Sequence, residues 1–331
     1  MLKRERFTDI DCAKSFAIIL VVLGHIVARN FPQGTEWFRY IRNYIYMFHM
    51  PMFIFLSGWI FYHTYPKTAD FKTSMNYILK RAYRLLVPFF LIGLIIILGK
   101  YFAGMFLFVD NPVNNLKTSL INMIWHTQYS STFFIWFVYV LFIFIFLTFV
   151  GLKFIKSEKK LYYLLAFSLI LKALRLPGYF YLDLISCNYV YFILGCLALE
   201  HKEKYYEMIA KYKYHFLILG LPLLFLYFHS KLSWVRLPLA VFATFGMHGI
   251  IKTKYSDSKM LLNLNFYVFV IYLFNVPFIG VSKAILLKFM PWDAIHFLIF
   301  LPVLFACGLL GPIFLKKYIF SKVPFLDKLT A

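Results

Sequence analysis

Acidic residues are scarce in this sequence: 14 Asp and Glu stand against 35 Lys and Arg, and charged residues of both signs make up only 15% of its 331 positions. So little charge, beside a composition that is 62% hydrophobic and 22% aromatic with a mean hydropathy of +0.73, excludes a water-soluble domain, which could not bury that much apolar surface. Strict apolar/polar alternation over ten-residue strands is missing as well, and its absence excludes a transmembrane barrel. The four cysteines, Cys12, Cys187, Cys196 and Cys307, have no paired spacing, so free thiols and no metal are expected. No low-complexity linker, internal repeat or soluble-sized segment divides the chain, and residues 1–331 read as a single membrane-embedded domain. The first apolar run has a basic start but no small-residue cleavage site, which makes it a retained helix rather than a signal peptide.

What is present is a series of long apolar runs. Residues 85–98, 133–150 and 297–315 are almost uncharged over lengths near the roughly 20 residues with which a helix crosses about 30 Å of hydrocarbon. Helices pair every backbone donor within their own segment, so an all-α, polytopic transmembrane bundle is predicted. About ten spans fit, near 12–29, 41–62, 86–108, 132–152, 161–176, 186–200, 215–229, 235–251, 266–287 and 294–315, with the fifth to seventh short. The formal charge of +21 does not point to nucleic acid, because Lys and Arg gather in every second connection. Examples are Lys3, Arg4 and Arg6; Lys67, Lys72, Lys80, Arg81 and Arg84; and Lys153, Lys156, Lys159 and Lys160. The positive-inside rule then places these connections and both termini in the cytoplasm, in a multi-pass protein surrounded by membrane lipids. In a bacterium that membrane is the cytoplasmic one. The stretch from Asp110 to Ser131 is the longest outer connection, and its Trp125, His126, Gln128 and Tyr129 suit either recognition or an interfacial aromatic belt.

Chemistry concentrates in the first ninety residues. Lys14 and His25 are eleven positions apart, which at about 100° per residue brings them to within roughly 20° on one helix face and separates them by about 16 Å along the axis. Ionisable groups in a membrane helix are costly and usually mark a pathway or a site. His25 suits either a packing histidine or, neutral in its apolar surroundings, a proton acceptor. Lys14 near the helix start also reads as a snorkelling interfacial lysine. No carboxylate lies on the first helix near His25, so a triad is not supported. The second run carries His49, Pro51, Ser57 and Gly58, a combination that suits a helix bent around a cavity or one packed tightly with no ligand. Arg81 and Arg84 are three apart at the start of the third run, where they serve as phosphate contacts or as cytoplasmic anchors.

Read together, Asp11-x-x-Lys14-x10-His25, Phe48-His49-Met50-Pro51-x-Phe53-x-Phe55-x-Ser57-Gly58 and Arg81-x-x-Arg84-Leu-x-x-Pro88 resemble the acyltransferase 3 superfamily of integral membrane acyltransferases, particularly its fucose 4-O-acetylase-like branch. Weaker likeness extends to Ile135-Trp136-Phe137 and to Ile271-Tyr-Leu-Phe-Asn275. The resemblance implies that His25 is catalytic, as the proposed general base, with Lys14 the positive residue supporting the donor or the site. It implies coenzyme A phosphate contacts at Arg81 and Arg84 and acetyl-CoA as acyl donor, with no metal. Two departures stand out. Asn275 occupies a place where the family often has histidine, so no proton transfer is assigned there, and Lys14 replaces an arginine whose planar fork it cannot reproduce.

The expected reaction is transfer of an acyl group, most often acetyl, to a sugar hydroxyl of a surface polysaccharide or lipid-linked glycan. His25 takes the hydroxyl proton or forms an acyl-histidine, and His49 and Ser57 are candidates to position substrate. The competing expectation is an exporter or flippase of polysaccharide or lipid-linked sugar, without covalent chemistry.

Overall fold

The computed structural model describes residues 5–27, 30–68, 70–230 and 233–330. Among these there is no strand, only helices and short 3-10 or π turns. Ten longer helices correspond to the ten apolar runs: α1 (Thr8–His25), α2 (Glu36–Thr64), α3 (Phe71–Ala103), α5 (Trp136–Phe154), α6 (Lys160–Ala173), α7 (Leu182–Glu200), α8 (Lys202–Ser230), α9 (Arg236–Ile250), α11 (Val268–Leu286) and α12 (Ala294–Tyr318). Three short ones lie between or after them: α4 (Leu116–Asn122), α10 (Lys259–Asn265) and α13 (Pro324–Leu329). The all-α polytopic bundle is thus the observed architecture.

Seven of the described helices are long and apolar enough to cross a membrane. The other three fall short for physical reasons. α1 carries Asp9, Asp11 and Lys14 within its 18 residues, and α6 and α9 have only 14 and 15 residues. The boundaries depart from the apolar runs mainly where charges begin. The seventh run is not short, because Lys202 to Tyr214 continues its helix and gives α8 29 residues. α3 likewise starts at Phe71, so Arg81 and Arg84 are helical. Lysine and arginine favour helix once outside hydrocarbon, and the chain therefore does not stop where hydropathy does. The end of the first predicted span, residues 28 and 29, lies outside the described residues.

α2 is the centre, with 72% of its apolar window buried, and α8 is peripheral at 11%. α2 and α7 approach most closely where Gly58 meets the Phe192 carbonyl and Gly195 meets the Phe55 carbonyl, and Cys196 Sγ donates to the Gly58 oxygen at 3.4 Å. Gly58 therefore serves backbone-to-backbone packing, and α2 runs unbroken through Pro51. All four cysteines are free.

Contacts sort the connections into two ends. At one end Lys202 meets Glu5 at 3.2 Å, Lys67 meets Glu200 at 3.7 Å and Arg6 meets Asp11 at 2.9 Å. A buried chain there links three helices: Tyr205 OH lies 2.8 Å from His248 Nδ1, and His248 Nε2 lies 3.2 Å from Asp9. At the opposite end Trp292 Nε1 donates to the Asn30 oxygen at 3.0 Å, Lys283 meets Asp110 at 2.9 Å, and Thr127 Oγ1 donates to the Gly178 oxygen at 2.5 Å. The first end holds the lysine-rich connections. The long 110–131 segment folds at the second end against the 174–181 turn, where Phe180 and Tyr181 adopt positive φ of 50° and 60° and Tyr181 OH donates to the Met123 oxygen at 3.0 Å.

Candidate active site

α10 leads into the site. Ser258 caps it, and Ser15 Oγ donates to the Leu261 oxygen at 2.6 Å, a contact that ties the connection before α11 to α1. One further pair of turns along α11 brings buried Asn275 level with His25, the last residue of α1. His25 Nδ1 lies 2.7 Å from Asn275 Oδ1. The Asn275 amide has no freedom to flip, because its Nδ2 donates to the Ile271 and Tyr272 carbonyls at 2.8 and 2.9 Å, and a carbonyl only accepts. Its oxygen must therefore face the imidazole, and Nδ1 must carry the hydrogen. Nε2 is left with a lone pair. His25 keeps accessible surface while Gly24, Ile26 and Val27 around it are buried.

Around this imidazole stand residues of α2. Buried His49 donates from Nδ1 to the Ile45 oxygen at 2.7 Å, which leaves its own Nε2 as an acceptor. The Tyr46 ring is shared between the two histidines, with centroids 6.4 Å from His25 and 5.0 Å from His49. Because α1 ends at His25, the Gly24 carbonyl is among the four that lack an intrahelical donor. Arg42 Nε and Tyr46 OH both donate to it at 3.2 Å, and the Arg42 guanidinium lies 4.6 Å above the Tyr46 ring. The positive charge of Arg42 is thus held at the carbonyl of the residue preceding His25.

The remaining candidates are elsewhere. Lys14 pairs with Asp11 at 3.1 Å, and Asp11 pairs in turn with Arg6. Lys14 shares the His25 face of α1, but the eleven residues between them keep it about 16 Å away along the axis. Ser57 Oγ donates to the Phe53 oxygen of its own helix at 2.8 Å, two turns from His49. Arg81 and Arg84 have separate destinations: Arg81 donates to Thr64 Oγ1 at 3.0 Å and stacks 5.1 Å from Tyr77. Arg84, within electrostatic reach of Lys14, lines a groove of about 740 Å³ with Lys80, Tyr83 and Lys328.

Residues 7–317 match the acyltransferase domain model of the acyltransferase 3 family. The chain belongs to that family. Two curated relatives are similar over short stretches of this acyltransferase. Nodulation protein NolL of Mesorhizobium japonicum is 40% identical over 58 residues, 17% of this chain and 16% of that protein. NolL of Sinorhizobium fredii is 35% identical over 86 residues, 25% of this chain and 22% of that protein. The matches thus span less than a quarter of either relative. No solved structure matches.

The tautomer of His25 is set by its surroundings, and two residues beside it, Asn275 and Arg42, were not singled out as site residues from sequence. Asn275 was visible only as a departure from the family pattern, and its signal was the place it occupies in the segment Ile271–Asn275. Arg42 carried a different signal, a cation in the second apolar run at the end opposite the basic connections.

Proposed function

We propose that this acyltransferase moves an acyl group, acetyl in the first instance, from acyl-CoA to a sugar hydroxyl of a surface polysaccharide or lipid-linked glycan precursor, as the fucose 4-O-acetylase-like branch does. The observation that carries this reading is the Asn275 lock, which presents His25 Nε2 as a base. The acceptor hydroxyl gives its proton to Nε2 while its oxygen attacks the thioester carbonyl carbon. The imidazolium that results keeps its Nδ1–H on Asn275 Oδ1, and the charge on the tetrahedral oxygen develops in the field of Arg42. Collapse breaks the C–S bond, and the proton passes from Nε2 to the departing CoA sulfur. Asn275 accepts a hydrogen bond throughout and takes no proton. His49 Nε2 is placed to accept from a second hydroxyl of the sugar.

The donor enters from the basic end. Arg84 and its groove receive the phosphates of CoA, a charge-matched role for arginine, and Lys14 stands between that mouth and the reacting atoms. The pantetheine arm covers the distance to His25, about 16 Å along α1. Only the thioester has to reach the interior. The acceptor comes from the opposite end, which the charge rule makes the outer one.

Purified protein given acetyl-CoA labelled in its acetyl group and crude lipid-linked glycans tests the assignment. Label recovered in glycan is the expected result. Movement of unmodified glycan across a vesicle membrane without label would instead establish a flippase.

A further inference from the structure

Two connections at the end opposite the lysine-rich ones are fastened into a single surface. His126 and Tyr179 form an antiparallel bridge, the Phe180 N–H donates to the Trp125 oxygen at 3.2 Å, and Thr127 Oγ1 donates to the Gly178 oxygen. The backbone is bent to make it. Phe180 and Tyr181 both have positive φ, which for bulky side chains is a genuine outlier of the kind that clusters at functional sites. The bend sends neighbouring rings to opposite sides: Tyr181 is fully buried, whereas Phe180 is open and lies edge-on to Trp125 with ring centroids 4.7 Å apart. Trp125, Tyr129, Tyr179 and Phe180 stay 50%, 65%, 42% and 37% exposed. Gly178 makes room beside them, because a Cβ there would stand 3.3 Å from Gln128 Oε1. Residues 123–131 and 176–182 contain no Asp, Glu, Lys or Arg. An aromatic of an interfacial belt has only to reach the headgroup level; it requires neither a left-handed turn nor a clip between two connections.

We propose that Trp125, Phe180, Tyr179 and Tyr129 form a stacking platform for an uncharged sugar ring of the acceptor glycan, with the Gln128 amide meeting its hydroxyls. The proposal rests on the acceptor reading given above and adds a place where a further ring of that glycan binds. A pyranose has an apolar C–H face and a rim of hydroxyls. The negative face of an aromatic ring attracts those C–H groups, and Trp and Tyr add a polar tip, while the amide both donates and accepts. The two uncharged stretches suit a neutral ring and offer nothing to an anion. The chain itself links the platform to the active site. Beyond Tyr129 it is held by Tyr272 OH, which donates to the Phe134 oxygen at 2.9 Å and accepts from the Phe137 N–H at 3.1 Å, and the Tyr272 carbonyl in turn holds the Asn275 amide.

Methyl pyranosides of glucose, galactose, mannose and rhamnose, added to the full chain without CoA and followed by ligand-observed NMR, test the platform. At least one should bind through the protons of one ring face. Trp125→Ala should weaken it roughly fivefold or more, and Trp125→Phe should keep most of the affinity. Neither change threatens the fold, since Trp125 gives only its backbone oxygen to the clip and its ring is half exposed. Vesicles of brominated phosphatidylcholine supply a second readout: the emission that Trp125→Phe removes should be insensitive to the bromines. No binding by any of the four sugars, an affinity unchanged in Trp125→Ala, or emission quenched by the lipid would each overturn the proposal. Transfer of labelled acetyl to glycan is followed on the same preparation. Sugar binding without transfer contradicts the acyl-transfer reading and leaves the platform, whereas transfer without sugar binding at Trp125 removes the platform alone.

Discussion

A histidine that keeps one nitrogen bare must give its other nitrogen a partner that accepts, and in this chain that partner is Asn275. Its amide is held by two carbonyls of its own helix at 2.8 and 2.9 Å. Asn275→Leu keeps much of the volume and leaves a nearly enclosed N–H unpaired, a loss of about 1–3 kcal/mol. A fall in kcat of about 5- to 150-fold is expected, with acetyl-CoA affinity unchanged. Steady-state kinetics and a CoA titration on one preparation check it, and a kcat within twofold of wild type would show that Asn275 does not orient the base. The arginines divide in the same way. Arg84→Ala should weaken acetyl-CoA binding by about 10- to 150-fold through lost phosphate contacts, whereas Arg81→Ala, which frees Thr64, should lower thermal stability and leave that affinity nearly intact. Equal losses of affinity in both variants would restore the paired clamp. From sequence His25 and His49 were recognisable by motif, but the tautomer was not, because it depends on a residue 250 positions away.

At the scale of elements, ten apolar runs were legible because hydropathy reports which segments avoid water. Their ends were not. α8 extends through Lys202–Tyr214 and α3 begins ten residues before Arg81, since helix propensity persists past the point at which burial stops. The contact of α2 with α7 was ambiguous for another reason: Pro51, Ser57 and Gly58 suit a cavity or tight packing equally, and only the position of α7 decides. A Cβ at Gly58 would overlap the Phe192 carbonyl, whereas at Gly280 nothing lies within 4 Å. Gly58→Ala should therefore destabilise the protein by about 1–3 kcal/mol, and Gly280→Ala should not. Melting of the two variants in detergent makes the comparison, and an unaltered midpoint for Gly58→Ala would contradict the close approach. The tie of α10 to α1 had no sequence signal; seven residues of ordinary composition acquire their meaning from Ser15 Oγ on the Leu261 carbonyl.

For the molecule as a whole, the alternation of basic and non-basic connections predicts ten crossings, and the contacts divide the connections between two ends in the same alternating order. Sidedness adds a testable consequence. Single cysteines introduced at residues 72, 157, 204 and 256, in a background without exposed Cys187, should react only from the cytoplasm, and those at 115 and 180 only from outside. Reaction of positions 72 and 115 from the same side would remove α3 as a crossing. In the proposed function this two-sided arrangement would hold an anionic donor at one end and admit an acceptor at the other, with His25 between them. The central claim is the role of His25 Nε2 as the base, and His25→Asn tests it most directly, because asparagine retains hydrogen bonding and supplies no effective base. Transfer of labelled acetyl to glycan by this variant, compared with wild type at equal folded fraction and equal CoA occupancy, should fall by at least the 10²- to 10⁴-fold that general base catalysis contributes. A stably folded, CoA-binding His25→Asn variant that transfers acetyl at close to the wild-type rate would contradict the account.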